Sequence, residues 1–281
     1  MNGYQLSAEN IAAYAAYLRS EEKSPATMEK YLHDIRLFAT WLGGRTVTKE
    51  IVTEWKGVLS AANYAPTTIN TKISAVNGLF AYLGWSDCRV KFLKIQRRLF
   101  RDAGRELTKQ EYQRLIATAC ELGRVRLALL TETIAATGVR VSEVPYITVE
   151  AVQQGKVRIA LKGKIRVILL PGKLCRKLQK YAQKQKITSG AIFQTRSGRP
   201  LSRRQIWAEL KGLCAHAGVA PGKVFPHNLR HLFATVFYRT CRDIVKLADL
   251  LGHSSIETTR LYLVSSGAEH QRELERLGLV L

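Results

Sequence analysis

The sequence predicts a mainly helical protein of two domains with one small β element. Three observations carry that reading. At 281 residues the chain is longer than a typical single domain. Apolar residues recur at three- and four-residue steps through most of it, the period of one helix face. One stretch breaks that period: KVRIAL and IRVILL, residues 156–161 and 165–170, read as two short strands joined by the tight turn Lys162-Gly163-Lys164. With 46% hydrophobic residues, the chain can bury a sizeable core.

Residues 1–88 read as a small domain of four helices. The first covers about 8–19. Ser24 is a good N-cap for the second, and Pro25 sits at the tolerated first position. Met28, Tyr31, Leu32, Ile35, Phe38 and Leu42 then make one apolar face, and Gly43-Gly44 ends it. A third helix follows Thr48. The fourth opens at Pro66 and places Ile69, Ile73, Val76, Phe80 and Leu83 on one stripe. Residues 89–105 form a basic linker, in which Arg89, Lys91, Lys94, Arg97, Arg98, Arg101 and Arg105 stand against Asp102. Such a run is either a solvated connection or a strap along a phosphate backbone.

The second domain, 106–281, begins at Thr108-Lys109-Gln110-Glu111, a capping-box pattern. A helix over roughly 123–136 stops at Gly138. After the hairpin, helices are expected at about 173–187, 202–216, 229–239, 243–251, 255–263 and 268–278.

Lys and Arg number 44 against 22 Asp and Glu, giving a net charge of +22. The excess is uneven: residues 1–104 carry 14 basic and 9 acidic groups, residues 105–281 carry 30 and 13. That balance suits a nucleic acid before a membrane. The five cysteines, Cys88, Cys120, Cys175, Cys214 and Cys241, are odd in number and lack a C-x-x-C pair. They argue against a disulfide framework or zinc site and for a reducing compartment. No apolar run of about 18 residues occurs and the N-terminus has no signal-peptide stretch, so no export or membrane insertion is expected. The expected place of work is the cytoplasm, with the nucleoid.

Three short runs carry the chemistry. ATGVRVSEV contains Arg140, at the junction of two helices. PHNLRHLFAT contains His227 and Arg230, which one helical turn puts on the same face. LGHSSIETTRLYL contains His253 and, nine residues on, Tyr262. Guanidiniums present a planar, permanently charged fork to phosphate oxygens. Imidazoles donate hydrogen bonds or move protons near neutral pH. A phenol can attack phosphorus if a base or cation helps it ionise. Each run alone also has an ordinary packing or salt-bridge reading. Their joint order and spacing, R…HxxR…H-x8-Y, closely resembles the tyrosine recombinases, the phage integrase family.

The resemblance covers residues 105–281, best over 130–146 and 223–265, and more faintly the N-terminal helices through SPATMEKYLHDIRLFATWL. It implies a SAM-like core-binding domain followed by an α+β catalytic domain, as in Xer-like and mobile-element integrases without an arm-binding domain. Arg140, His227, Arg230 and His253 then look like the phosphate-activating set and Tyr262 like the nucleophile. The family's general-acid lysine, from a β-hairpin turn, falls on Lys162, with Lys164 a competitor, since LKGKIRVILLP is a residue shorter than the usual form. Glu143 and His231 are expected in support. Arg97, Arg98, Arg101, Arg203 and Arg204 are candidate DNA contacts. Leu232 and Leu263 depart from the family's small polar residues but remove no catalytic group.

The resemblance further implies double-stranded DNA as partner, a homotetramer on two duplexes, and no metal or other cofactor. Residues 268–281 would either dock into a neighbouring subunit or pack on their own domain. Two rival functions stay open: DNA relaxation of the type IB topoisomerase kind, and a catalytically idle DNA-binding regulator. The short chain, the four-helix N-terminal domain and H-x8-Y favour site-specific recombination.

Overall fold

Short polar residues start most of the helices, because their side-chain oxygens accept from amides that a first turn leaves unpaired. Ser7, Ser24 and Thr48 do this for α1 (Ala8–Ser20), α2 (Pro25–Leu42) and α3 (Lys49–Ala61). Pro66 opens α4 (Pro66–Tyr82) through its fixed φ. Gly43, at φ 59°, ends α2 in the left-handed region that a side chain disfavours. The computed structural model describes residues 3–95, 103–161, 164–253, 255–260, 262 and 275–277. Its chain divides into two compact units, 1–97 and 98–281.

In the first unit the apolar faces of α1–α4 close on Phe38, Phe80, Trp55, Ile35 and Ile73, all essentially without solvent contact. A buried pair of opposite charges joins them. Asp34, fully buried on α2, is paired with Lys72 of α4 at 3.0 Å and with Lys30 one turn earlier. Two asparagines of α4 extend this unit past its last helix. Asn70 accepts from the amide of Leu93 and donates to its carbonyl, and Asn77 does the same for Val90. The start of the basic segment is thereby fastened to α4. Arg97, Arg98 and Arg101 lie outside the described residues.

The second unit is built around α6 (Val125–Thr137), which packs against α5 (Lys109–Glu121), α8 (Gly172–Lys184) and α10 (Pro226–Cys241). Three buried threonines on α6 are polar, yet none lacks a partner. Thr131, Thr133 and Thr137 each donate to the carbonyl four residues earlier. Thr108 and Glu111 form the reciprocal capping box at the start of α5. Strands β1 (Lys156–Leu161) and β2 (Lys164–Leu169) pair antiparallel, burying Val157, Ile159 and Ile168 while Arg158 and Val167 point outward. The remaining helices are α7 (Val149–Gln153), α9 (Arg203–Ala217), α11 (Ile244–Leu251) and α12 (Ile256–Arg260).

Several sequence expectations are corrected. Lys164 is the first residue of β2 and pairs with Leu161, so Lys162 and Gly163 alone separate the strands. The short helix α7 had no expectation at all, since five residues are too few for a periodic face to show. Helix α10 starts at Pro226, three residues before the expected 229, as its N1 proline permits. The segment after Arg140 is a six-residue 3-10 turn, Val141–Tyr146, with Pro145 inside it. Proline cannot donate the ladder bond that a longer helix needs.

The two glycines that end α6 and α9 give a test. Gly138 and Gly218 both lie near φ 60°, so alanine at either meets the left-handed penalty of about 1–2 kcal/mol. At Gly218 the added Cβ meets nothing within 4 Å, whereas at Gly138 it falls 2.7 Å from Phe233 and 2.9 Å from Leu251. Gly138→Ala should therefore lose roughly 1–3 kcal/mol more than Gly218→Ala, as overpacked sites do. Urea unfolding of both variants measures the difference; equal midpoints would contradict the crowding.

Candidate active site

The C-terminus of α11 gathers the site. A helix leaves its last carbonyls unpaired and carries partial negative charge there. Three successive carbonyls of this terminus each receive an arginine: Arg166 reaches Leu250 at 3.1 Å, Arg230 reaches Leu251 at 2.7 Å, and Arg140 reaches Gly252 at 3.0 Å. Glu143 ties two of them together. It accepts from the Arg140 amide at 2.7 Å, from Arg140 Nη1 at 3.0 Å and from Arg166 Nη1 at 2.6 Å. Burial alone would raise the Glu143 pKa, but the Arg140 amide and the two guanidiniums outweigh it and hold the carboxyl below its ordinary value.

Arg230 is the deepest of the three, only 3% exposed. Besides Leu251 it donates to the carbonyl of Gly138 and, at 3.0 Å, meets Nε2 of His253. Burial first, then the charge of Arg140, lowers its pKa to about 10, against a raising contribution from its hydrogen bond to the Tyr262 side chain. The guanidinium stays charged at neutral pH. Since arginine can only donate, Nε2 of His253 must accept, and the ring proton sits on Nδ1. There it meets Oγ1 of the fully buried Thr259 at 2.8 Å. Burial, then the nearby charges of Arg230, Arg140 and Arg166, push His253 down to about 4. At neutral pH this imidazole is uncharged.

Tyr262 lies among three imidazoles. Its ring centroid is 5.5 Å from His227, 5.4 Å from His231 and 5.5 Å from His253, the last nearly parallel at 20°. It is 7% exposed and shares a small apolar cluster with Ala234, Leu247 and Leu251. His227 keeps an exposed edge, yet desolvation of the rest of the ring and the charge of Arg230 lower its pKa. The arrangement brings a hydroxyl, proton-accepting ring nitrogens and clustered positive charge together, the parts needed for attack on a phosphodiester.

Arg140, Glu143, His227, Arg230, His231, His253 and Tyr262 thus converge on one locus. The amide of Arg140 is taken by Glu143. One local expectation changes. Helix α12 ends at Arg260, and Tyr262 sits in a turn beyond it, its amide bonded to Thr259. Lys162 lies outside the described residues, and Lys164 is described only as a strand position. Arg203 and Arg204 are exposed in the first turn of α9. Sequence reasoning missed Arg166, which bonds Glu143 and Leu250 from β2 while its Nε is buried without a partner among the described residues. The available signal was its place four residues after Lys162, in the same hairpin run. It also missed Thr259. Among the described residues, no group of three or more His, Cys, Asp or Glu is placed to hold a metal, and no helix is long and apolar enough to cross a membrane.

The whole chain is that of a known class. Residues 105–269 match the phage integrase family, and residues 11–87 match the phage integrase N-terminal SAM-like domain. Its relatives include the tyrosine recombinase XerA of Pyrococcus furiosus, 28% identical over 98% of this chain and 96% of the relative. Tyrosine recombinase XerD of Xanthomonas campestris pv. campestris is 30% identical over 84% of this chain and 81% of its own. Among solved structures, a lambda integrase tetramer bound to a Holliday junction shares the fold, with a TM-score of 0.76 at 17% identity, covering 93% of this chain and 78% of that one. The chain belongs to the phage integrase family; it is a tyrosine recombinase.

The lowered pKa of His253 predicts a pH effect. The fold favours the neutral ring, so its contribution to stability is fully present above the ordinary histidine value of 6.5 and is lost as pH falls from there towards about 4. His253→Gln removes the titration but leaves that of His227. Between pH 7 and 4 the wild type should lose more stability than the variant. Parallel curves from thermal unfolding would show that the ring is not held neutral.

Proposed function

We propose that this recombinase cuts and rejoins double-stranded DNA at a specific site through a phosphotyrosyl link at Tyr262. The observation that carries the proposal is the enclosure of Tyr262 by three imidazoles beside Arg230, with Arg140 on the neighbouring carbonyl. The Tyr262 hydroxyl gives its proton to a ring nitrogen of that cluster and its oxygen attacks phosphorus. The bond to the 5′ oxygen breaks, leaving a 3′-phosphotyrosine, and Lys162 supplies the proton that makes a 5′-hydroxyl. A 5′-hydroxyl of a partner strand reverses these steps. The ester conserves the bond energy, so the reaction takes neither ATP nor a metal, and positioning and charge do the work.

Arg140 suits the phosphate directly. It spends one hydrogen on Glu143 and one on Gly252, and its side chain is 40% exposed, so its remaining donors face outward. Arg230 exchanges part of its present set of acceptors for a phosphate oxygen. Strand exchange needs four active sites on two duplexes, so the working assembly is a homotetramer, held through residues 268–281. The DNA is bound by the catalytic unit together with the helical N-terminal unit, the basic segment at Arg97, Arg98 and Arg101, and Arg203 and Arg204. The enzyme works in the cytoplasm at the nucleoid, in integration or excision of a mobile element.

A duplex with a nick beside the scissile phosphate traps the covalent complex. The wild type should give a protein–DNA adduct on a denaturing gel, and Tyr262→Phe should bind the duplex without forming one. An adduct with the Phe variant would overturn the assignment. Arg140→Ala should slow single-turnover cleavage about 10²–10³-fold with little loss of affinity, the usual effect of removing one donor to developing charge. Lysine should restore little, because it lacks the fork. Wild-type cleavage by Arg140→Ala would remove that residue from the site.

A further inference from the structure

We propose that Arg166 is a positioning residue that takes up the charge of Glu143, so that the fork of Arg140 stays turned towards a bound phosphate. The inference rests on the proposed function in taking Arg140 as a phosphate ligand, and it adds the inner partner that keeps Arg140 free for that part.

Arg166 stands where a strand would ordinarily carry an apolar side chain. Residues directly opposite each other in an antiparallel pair share a face. Arg166 lies opposite the buried Ile159 and two residues before the buried Ile168, on the inward face of the hairpin. Its side chain is 12% exposed, so its charge must be met from inside the protein. Nη1 donates to both oxygens of Glu143, at 2.5 and 2.6 Å, and Nη2 donates to the carbonyl of Leu250 at 3.1 Å. Nε lies against Gly252, where a Cβ would come within 2.6 Å of it. The guanidinium is thus directed at Glu143 and the end of α11, and it acts through them.

An ionised carboxylate can accept about four hydrogen bonds. At Glu143 the Arg140 amide supplies one at 2.7 Å, Arg166 Nη1 reaches both oxygens, and Arg140 Nη1 supplies one at 3.0 Å. Arg166 is the nearer cation, and it meets both oxygens where the side chain of Arg140 meets one. Without Arg166, the acceptor positions it leaves would draw in the remaining donors of Arg140. The fork would turn from the phosphate to Glu143, and its charge would be cancelled at contact distance. With Arg166 in place, two cations face one carboxylate, and the positive charge left over falls on the exposed member, Arg140.

Single-turnover adduct formation at saturating nicked duplex tests this. Arg166→Gln should slow it about 10- to 100-fold, a part of the roughly 10²–10³-fold lost with a donor to developing charge. DNA affinity should stay close to wild type. Arg166→Lys keeps a charge against Glu143 and should recover most of the rate. In an Arg140→Ala background the same Gln substitution should slow cleavage less than about threefold, because its effect passes through Arg140. Adding Glu143→Gln to Arg166→Gln should speed cleavage again, since it removes the charge that turns Arg140 inward and keeps an acceptor for the Arg140 amide. A folding defect would instead add its loss in every background. The proposal is overturned by a Lys variant no faster than Gln, by a full Gln loss in the Arg140→Ala background, or by a double variant no faster than Arg166→Gln. Wild-type cleavage by Arg140→Ala would break the proposed role of Arg140 and this inference with it. A slow Arg140→Ala with any of those three results would sink this inference alone.

Discussion

The candidate site depends on the open end of one helix. Helix α11 stops at Gly252, and the carbonyls of Leu250, Leu251 and Gly252 each take one guanidinium. Three like charges brought so near one another repel, more strongly where water is excluded. Two devices offset that repulsion. The partial negative charge at the helix C-terminus is shared by all three arginines. Glu143 adds a full charge, but only to Arg140 and Arg166. Arg230, the most buried, is paired with no carboxylate among the described residues, and its partners are two carbonyls, a neutral ring and the Tyr262 side chain. Its charge is hydrogen-bonded without being cancelled. A carboxylate in the same place would have neutralised the group and repelled a phosphate.

That uncancelled charge has a second effect on the histidines. A cation beside an imidazole disfavours a second cation, and desolvation acts in the same direction, so His253 and His227 are both pushed towards the neutral form. Neutral rings can accept a proton where charged ones cannot. The arginines that would hold a phosphate thus also set the protonation of the bases beside it. Tyr262 is placed by different forces. It packs with Ala234, Leu247 and Leu251 as a core residue, and its hydroxyl end reaches Arg230. Apolar packing fixes where the ring lies, and polar groups decide what the hydroxyl can do.

Much of this was legible in the chain because local rules decide it. Ser24, Thr48 and Thr108 to Glu111 mark helix starts through hydrogen bonds made within a few residues, Pro25 and Pro66 through their fixed φ, and the structure has helices beginning at each. The convergence of His227, Arg230, His253 and Tyr262 was legible only through their joint spacing and the family it resembles, since distances between separate helices leave no local trace. What was missed is what only tertiary contact decides. Arg166 reads as one more basic residue on a strand, and its meaning comes from Glu143, 23 residues away, and Leu250, 84 away. Thr259 reads as one threonine of a pair. Its burial and its bond to His253 exist only once α12 has turned back under the ring. The hairpin turn was read a residue too long because lysine repeats on both sides of Gly163, and composition cannot say where pairing stops.

The helix ends themselves explain why so few residues suffice. Gly138 ends α6 and Gly252 ends α11, both in the left-handed conformation that turns a carbonyl away from the helix. Each of those carbonyls receives one of the two arginines proposed to hold phosphate, Gly138 from Arg230 and Gly252 from Arg140. The chain thereby crosses its own signals: Arg140 follows α6 and bonds to the end of α11, while Arg230 bonds to the ends of both. Neither glycine has room for a side chain. A Cβ at Gly138 would enter Phe233 and Leu251, and one at Gly252 would lie 2.6 Å from Nε of Arg166. The same two residues that stop helices also supply acceptors and the space in which the arginines converge. A substitution at either would disturb all three functions at once, even though neither glycine has a group that could touch DNA chemistry.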